Sequence, residues 1–439
     1  MQRYGPIVKS VLRACVFVAL AGACTSAIVP SGPATAPIPE PTPFRDVTFP
    51  PPVNGPTVTP TPGTTRPPPA ALGAAPAAGT IVIRDGLGTL YRYDGVGGSV
   101  ERLTALSSWI VAQETDAGAY ELGLQGGGVF VPWSGDAGPV ACDGVILSIA
   151  TTGTCLSRRF DADGGVFVSS GGPGRLLLPP DWGAAIAQWD RGGRQLAIAR
   201  ITDTRCMRCP STLWVIGPAG TPRQVYDPCC ADPDRGWSVS GIAWAPDGRA
   251  IAVSVSTGCA GCQGTAGAGL AIVDVGTGTV TGLGPTPVAV GSSAWSVTGM
   301  LAFVRGTQST PAMNVLQLRD ADGAVRPLDT GGYSPTWDAT GGRLGWATAD
   351  GRAVILDVAT GAREVVGCGD LKVSALRFDS EGTGLLLVCS PGGASYEVAE
   401  LHYASQGRDL PLLRYWRNVG PFYGIDLPLE IAWSRGARP

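Results

Sequence analysis

A short signature returns through the last two-thirds of this chain: an aromatic residue, a turn containing Gly, then a run of apolar residues. Its clearest copy reads Ile242-Ala243-Trp244-Ala245-Pro246-Asp247-Gly248-Arg249-Ala250-Ile251-Ala252-Val253. Looser copies surround Trp189, Trp295, Trp337 and Phe378, each with its own turn and following apolar run. From Trp189 the aromatic recurs at Trp244, Trp295, Trp337, Phe378 and Trp433, with gaps of 55, 51, 42, 41 and 55 residues. The aromatic ends one strand, the Gly segment turns the chain, and the apolar run is a second strand. A sheet this small cannot bury both faces alone, so successive copies must stack on one another.

A period of ~40–50 residues built from short strands implies an all-β chain, a single β-propeller. About seven four-stranded blades are expected, with six and eight as the limits. Third and fourth strands follow the signature, as in Leu270–Val275 with Thr279–Leu283 and Ala353–Val358 with Arg363–Val366. Glu430–Ser434 is a first strand with no second strand after it. Thr80–Arg84, Thr89–Tyr93 and Val100–Leu103 are strands with no signature before them. Pairing the two ends closes the ring and removes two exposed sheet edges. Between Leu106 and Leu178 the pattern weakens, and Arg159–Val168 reads as a degenerate copy, so one or two blades are expected there. The 64 Gly and 38 Pro suit many tight turns rather than helices.

At Trp244–Val253 the chain resembles the TolB-like propellers, whose repeat carries Trp-Ser-Pro-Asp-Gly before an apolar strand, and more loosely the WD-repeat-like propellers. The resemblance covers about Gly79 to Arg435 at the level of fold. It implies an extracytoplasmic binding scaffold, or a non-catalytic propeller of the kind attached to peptidases, and names no ligand.

Residues 1–23 read as a signal peptide: Arg3, Lys9 and Arg13 precede a short apolar stretch from Ala14 to Ala23. Leu20-Ala21-Gly22-Ala23-Cys24 resembles a bacterial lipobox with Leu one place too far upstream. Lipidation at Cys24 and plain secretion both cut the same bond, and the Cys at that position favours a lipoprotein. Ala14–Val29 falls short of the ~20 apolar residues a membrane span needs. Residues 24–78 then form the lipidated Cys and a Pro/Thr/Ala-rich linker, and residues 79–439 the propeller. Extended polyproline-like chain at ~3.1 Å per residue could hold a domain on the order of 100 Å from a membrane. The expected location is extracytoplasmic, anchored to the cell membrane or outer membrane through the lipid.

Beyond Cys15 and Cys24, ten cysteines remain: Cys142, Cys155, Cys206, Cys209, Cys229, Cys230, Cys259, Cys262, Cys368 and Cys389. An even count in an exported chain reads as disulfides. Cys206–Cys209 and Cys259–Cys262 occupy the connection after the second strand of successive blades, and Cys229 and Cys230 join those blades. In an up-and-down sheet, connections after the second and fourth strands leave from one face, so six thiols are expected to converge there. Cys368 and Cys389 repeat the relation, and Cys142 with Cys155 would make a local bridge. A four-thiolate zinc site is the alternative, weakened by long ligand spacing and an oxidising compartment.

Chemistry is sparse elsewhere. His402 is the sole His, which opposes a Ser–His–Asp triad or a multi-His metal site. It lies in an alternating strand and reads as structural. Asp161–Gly164 and Asp320–Gly323 lack the later carboxylates of a calcium loop and read as hairpin turns. No catalytic residue, metal or cofactor is expected. The repeat-slot Trp residues read as core. Trp182, Trp214, Trp237, Trp416 and Tyr423 fall outside that slot and are the candidates for partner contact. A net charge of −3 with no basic stripe opposes nucleic-acid binding. The reading is a non-enzymatic scaffold for a protein or glycan partner. The competitors are a carboxylate- or calcium-dependent propeller hydrolase or lactonase, which nine Glu and three Asn supply poorly, and a purely structural envelope protein.

Overall fold

The computed structural model describes residues 69–439 outside a set of short stretches, of which the longest are 202–210, 229–236, 258–267, 286–292, 307–313, 419–430 and 434–439. The expected signal peptide, Cys24 and most of the linker lie outside the described residues.

Among the described residues, the strands form eight antiparallel sheets, seven of four strands and one of five. Blades 4 to 8 begin on the repeat aromatic's strand: Gly183–Trp189, Trp237–Trp244, Ser293–Trp295, Tyr333–Trp337 and Lys372–Phe378. Blade 2 runs from Ile110–Glu114 to Gly138–Pro139, and blade 3 from Val145–Ile149 to Arg175–Leu178. The weak stretch thus holds two full blades, the higher of the two numbers expected there, and the sheets number eight, the upper limit of the expectation. The degenerate copy lies one strand out of step with the repeat. Cys155–Arg159 and Gly165–Ser169 pair as second and third strands of blade 3, so the turn between them is not the repeat turn.

Blade 1 contains both ends of the ring. Ile431–Trp433 pairs with Thr80–Arg84, Ile81 facing Trp433 and Ile83 facing Ile431. A second tie lies at the outer edge of blade 8, where Ala70–Ala71 adds a fifth strand opposite Leu413 and Arg414. Tyr93 Oη donates to Gly73 O at 2.7 Å, and Ala75 and Ala78 are buried against blade 8. The propeller therefore draws on residues 70–78, which the sequence reads as the end of the linker.

The core lies between blades. Each apolar cluster among the described residues joins two neighbours, such as Val215 and Leu213 of blade 4 with Ile251 and Val253 of blade 5. Ile251, Val253 and Val255 face blade 4, whereas Ala252 on the same strand packs with Leu301 and Phe303 of blade 6. A strand covered on both faces must be apolar throughout, which is why the second strands read as unbroken runs. Gly384–Ser390 in blade 8 is buried along its whole length.

The signature itself has a physical explanation. The Gly four places after each aromatic has a left-handed backbone: φ is 66° at Gly193, 70° at Gly248, 84° at Gly299, 73° at Gly341 and 71° at Gly382. Its N–H closes the turn on the residue after the aromatic, as Gly193 does on Asp190 O at 2.9 Å. Where that residue is polar, its side chain also binds the turn: Asp190 Oδ1 accepts from Arg194 N at 2.6 Å, and Ser296 Oγ from Met300 N at 2.9 Å. Three of the repeat indoles then reach back one blade. Trp244 Nε1 donates to Gln188 O at 2.9 Å, Trp295 to Ala243 O at 3.1 Å, and Trp337 to Ala294 O at 2.9 Å. Every acceptor is the residue before the preceding blade's aromatic, so the repeat Trp residues stitch blade to blade.

Candidate functional site

Strand direction sorts the connections onto two faces. Those after the second and fourth strands of a blade leave from one face, and the tight turns after the first and third strands from the other. Cys368 lies in the connection between blades 7 and 8, and Cys389 near the end of the second strand of blade 8. A disulfide joins them on the first face, with a Cα–Cα distance of 6.1 Å, within the range such bonds adopt. Both cysteines are buried. Cys155 is also disulfide-bonded, while Cys142 and the six cysteines from Cys206 to Cys262 lie outside the described residues.

Below this bridge sits the sole histidine. His402 is buried on the third strand of blade 8, Tyr396–Ser405. Glu400 and His402 are two apart on a strand and so share a face. Register sets Glu400 opposite Cys389 on one side and Arg414 on the other. The hairpin to Arg408–Asn418 brings Asp409 within 2.9 Å of His402 Nδ1, and Glu400 Oε2 lies 3.2 Å from Nε2. Arg414 donates to Glu400 Oε1 at 2.6 Å through Nη2 and 2.9 Å through Nε. Burial pushes the Glu400 carboxyl up, but the hydrogen bonds and charges of Arg414 and His402 outweigh it and hold its pKa below the ordinary value. A ring nitrogen of His402 and the sulfurs of Cys368 and Cys389 all lie within 4.8 Å of one another.

Of the aromatic candidates, the structure brings Trp182 and Trp214 together on blade 4. Their rings meet edge to face at 4.9 Å. Arg200 stacks over both, with Cζ at 4.4 Å from the Trp182 ring and 5.7 Å from the Trp214 ring. Trp214 Nε1 donates to Thr212 Oγ1 at 2.8 Å. Both rings are half-buried and partly occupied by their own protein. Trp237 opens the first strand of blade 5 and Trp416 lies in the last strand of blade 8, their side chains outside the described residues, as is all of Tyr423.

The opposite face carries a cleft of about 610 Å³ between the turns of blades 5 and 6. Thr277, Thr279 and Thr281 line it with Asp274, Arg249 and Arg319. The backbone N–H and hydroxyl of Thr277 hold the Asp274 carboxyl below its usual range. Sequence reasoning did not single this cleft out, because its residues are ordinary turn and edge-strand types. Asp320–Gly323 is a hairpin turn there, closed by Gly323 N to Asp320 O at 2.9 Å. Asp161–Gly164 lies outside the described residues.

No protein-family model matches the chain, and no curated protein matches it. Solved structures of similar form include a eukaryotic initiation factor, at 13% identity over 76% of this chain and 85% of that one, with a TM-score of 0.44. A puromycin hydrolase aligns at 16% identity over 77% of this chain and 59% of its own, with a TM-score of 0.41. A β-propeller domain from Myceliophteria thermophila aligns at 13% identity over 65% of this chain and 94% of its own, with a TM-score of 0.41. The chain spans less than two-thirds of the puromycin hydrolase. At these identities and scores the neighbours say nothing about activity.

Proposed function

We propose that this chain is a non-enzymatic binding scaffold outside the cytoplasmic membrane, tethered by a lipid on Cys24, that presents its disulfide-bearing face to a protein or glycan partner. One observation carries the reading: the buried Cys368–Cys389 bridge ties an inter-blade connection to the blade that follows it. Such bonds persist in oxidising compartments, in keeping with the signal-like N-terminus. A bridge beside a connection also limits the ordering cost of binding there. The TolB-like resemblance points the same way.

A photoreactive side chain placed at Asp370, in the connection holding Cys368, should capture a partner in envelope preparations. The same group at Thr360, in a turn on the opposite face, should not. Equal capture from both positions, or none from Asp370, overturns the face assignment. Intact mass spectrometry of membrane-extracted protein tests the tether separately. The expected mature chain begins at a lipidated Cys24, and an unmodified or different N-terminus refutes it.

A further inference from the structure

The cluster beneath the disulfide has the composition of a metal site with its sulfurs oxidised. Two sulfurs and one imidazole nitrogen converge within 4.8 Å, all three residues buried. Thiolate and imidazole are the ligands preferred by zinc-class ions, which take four donors at tetrahedral corners. A fourth donor is at hand, since carboxylates of Glu400 and Asp409 lie on the two ring nitrogens of His402 at 3.2 and 2.9 Å. When an ion takes one nitrogen, the carboxylate displaced from it is placed to become the fourth ligand. The other carboxylate remains on the second ring nitrogen, the partner that fixes tautomer and orientation in metal-bound histidines. Arg414, paired with Glu400, offsets part of the added negative charge.

We infer that reduction of the Cys368–Cys389 bridge converts this cluster into a buried site for a zinc-class divalent cation, held by Cys368, Cys389, His402 and one of the two carboxylates. A dithiol or phosphine reductant supplies two electrons, the S–S bond breaks, and two protons make the thiols. Binding the cation releases those two protons and leaves the ligating nitrogen of His402 unprotonated. The bridge and the ion are therefore alternative fastenings of blade 8 to the connection from blade 7, selected by redox state. The inference does not depend on the scaffold reading, because it concerns the blade's own residues whatever binds outside.

His402 is its own probe, being the sole histidine of the chain. Full-length protein carrying ¹⁵N-histidine and no histidine tag is reduced, and alkylation of a sample confirms that Cys368 and Cys389 are free. Zinc or cadmium is then added. The imidazole resonances should move on metal addition to the reduced protein and stay still when the oxidised protein is treated alike. Cadmium should add a ¹¹³Cd–¹⁵N coupling. The double variant C368S/C389S, which keeps His402 and the remaining cysteines, should bind one equivalent less cobalt and show no histidine shift. Identical imidazole spectra with and without metal in the reduced protein overturn the inference. So does a bridge that cannot be reduced without unfolding the domain, or a histidine shift retained in the double variant.

Discussion

The indole stitches make a prediction with an internal control. Trp189, Trp244, Trp295 and Trp337 occupy the same slot of successive blades, and Trp→Phe at each removes the same ring area. At Trp244, Trp295 and Trp337 the substitution also deletes a hydrogen bond of 2.9–3.1 Å to the preceding blade, worth about 1 kcal/mol. Trp189 differs: its Nε1 is buried with no hydrogen-bond partner among the described residues. Blade 3 ends its first strand on Ile149 rather than on an aromatic. Removing an unsatisfied buried donor relieves a penalty of about 1–3 kcal/mol. Trp189→Phe should therefore be the mildest of the four by about 2 kcal/mol or more, and neutral overall if that relief offsets the lost area. Urea unfolding followed by far-UV circular dichroism gives the four midpoints, compared at a common slope. Equal losses at all four positions, or the largest at Trp189, would refute the stitching argument.

Deleting Leu429–Pro439 removes the strand opposite Ile81–Ile83 and bares a central edge. Calorimetry should then show a broader, lower transition, and an unchanged melt would remove closure as a source of stability. A Cβ at Gly384 would sit 2.1 Å from Tyr403 Oη, whose hydroxyl donates to Asp379 at 3.1 Å. Gly384→Ala should cost about 1–3 kcal/mol by overpacking, and Gly384→Ala combined with Tyr403→Phe should not rescue it, because the ring carbons clash too. Rescue by that pair would assign the clash to the hydroxyl alone. Thr277→Val removes the hydroxyl that Asp274 accepts but keeps the backbone bond. A depressed carboxylate contributes to the folded state above its unfolded pKa, and the contribution disappears as pH falls through the folded value. The variant should raise the Asp274 pKa towards 3.8 without reaching it, so the turn loses its bonds at higher pH. Carbon-detected titration would show this, and an unmoved midpoint would exclude the hydroxyl as a cause.

What the sequence discloses follows the repeat. Blades 4 to 8 are legible because each needs an aromatic to meet its neighbour and a left-handed Gly to turn the chain, and few residues serve either purpose. Blades 2 and 3 are faint because their first strands end without that aromatic, leaving only short apolar runs such as Gly128–Pro132 and Gly165–Ser169. Nothing local distinguishes a turn after the second strand from one after the first, so Arg159–Val168 resembles a repeat copy although it joins a second strand to a third. The pairing of Ile81 with Trp433 was legible because an unpaired half-blade at each end has one economical solution. Around His402 only Glu400 could be foreseen, from alternation along the strand. Asp409 and Arg414 depend on a hairpin register containing a bulge between Leu401 and His402, which pattern does not fix.

The two-residue strand Ala70–Ala71 has a mechanical consequence. Any tension arriving along the N-terminal segment enters the fold at this outer strand, held opposite Leu413 and Arg414, before it reaches the inner seam at Ile81. Between them, Leu72 N donates to Leu412 O at 2.8 Å, and Ala75 N to Gly95 O at 2.9 Å. These bonds break in sequence as the chain is peeled from the rim, each lengthening the slack by a few residues. The outer strand is thus placed as a fuse: a pull on the N-terminal segment would be absorbed at the periphery, and the ring would stay shut until the chain had been drawn out as far as Thr80.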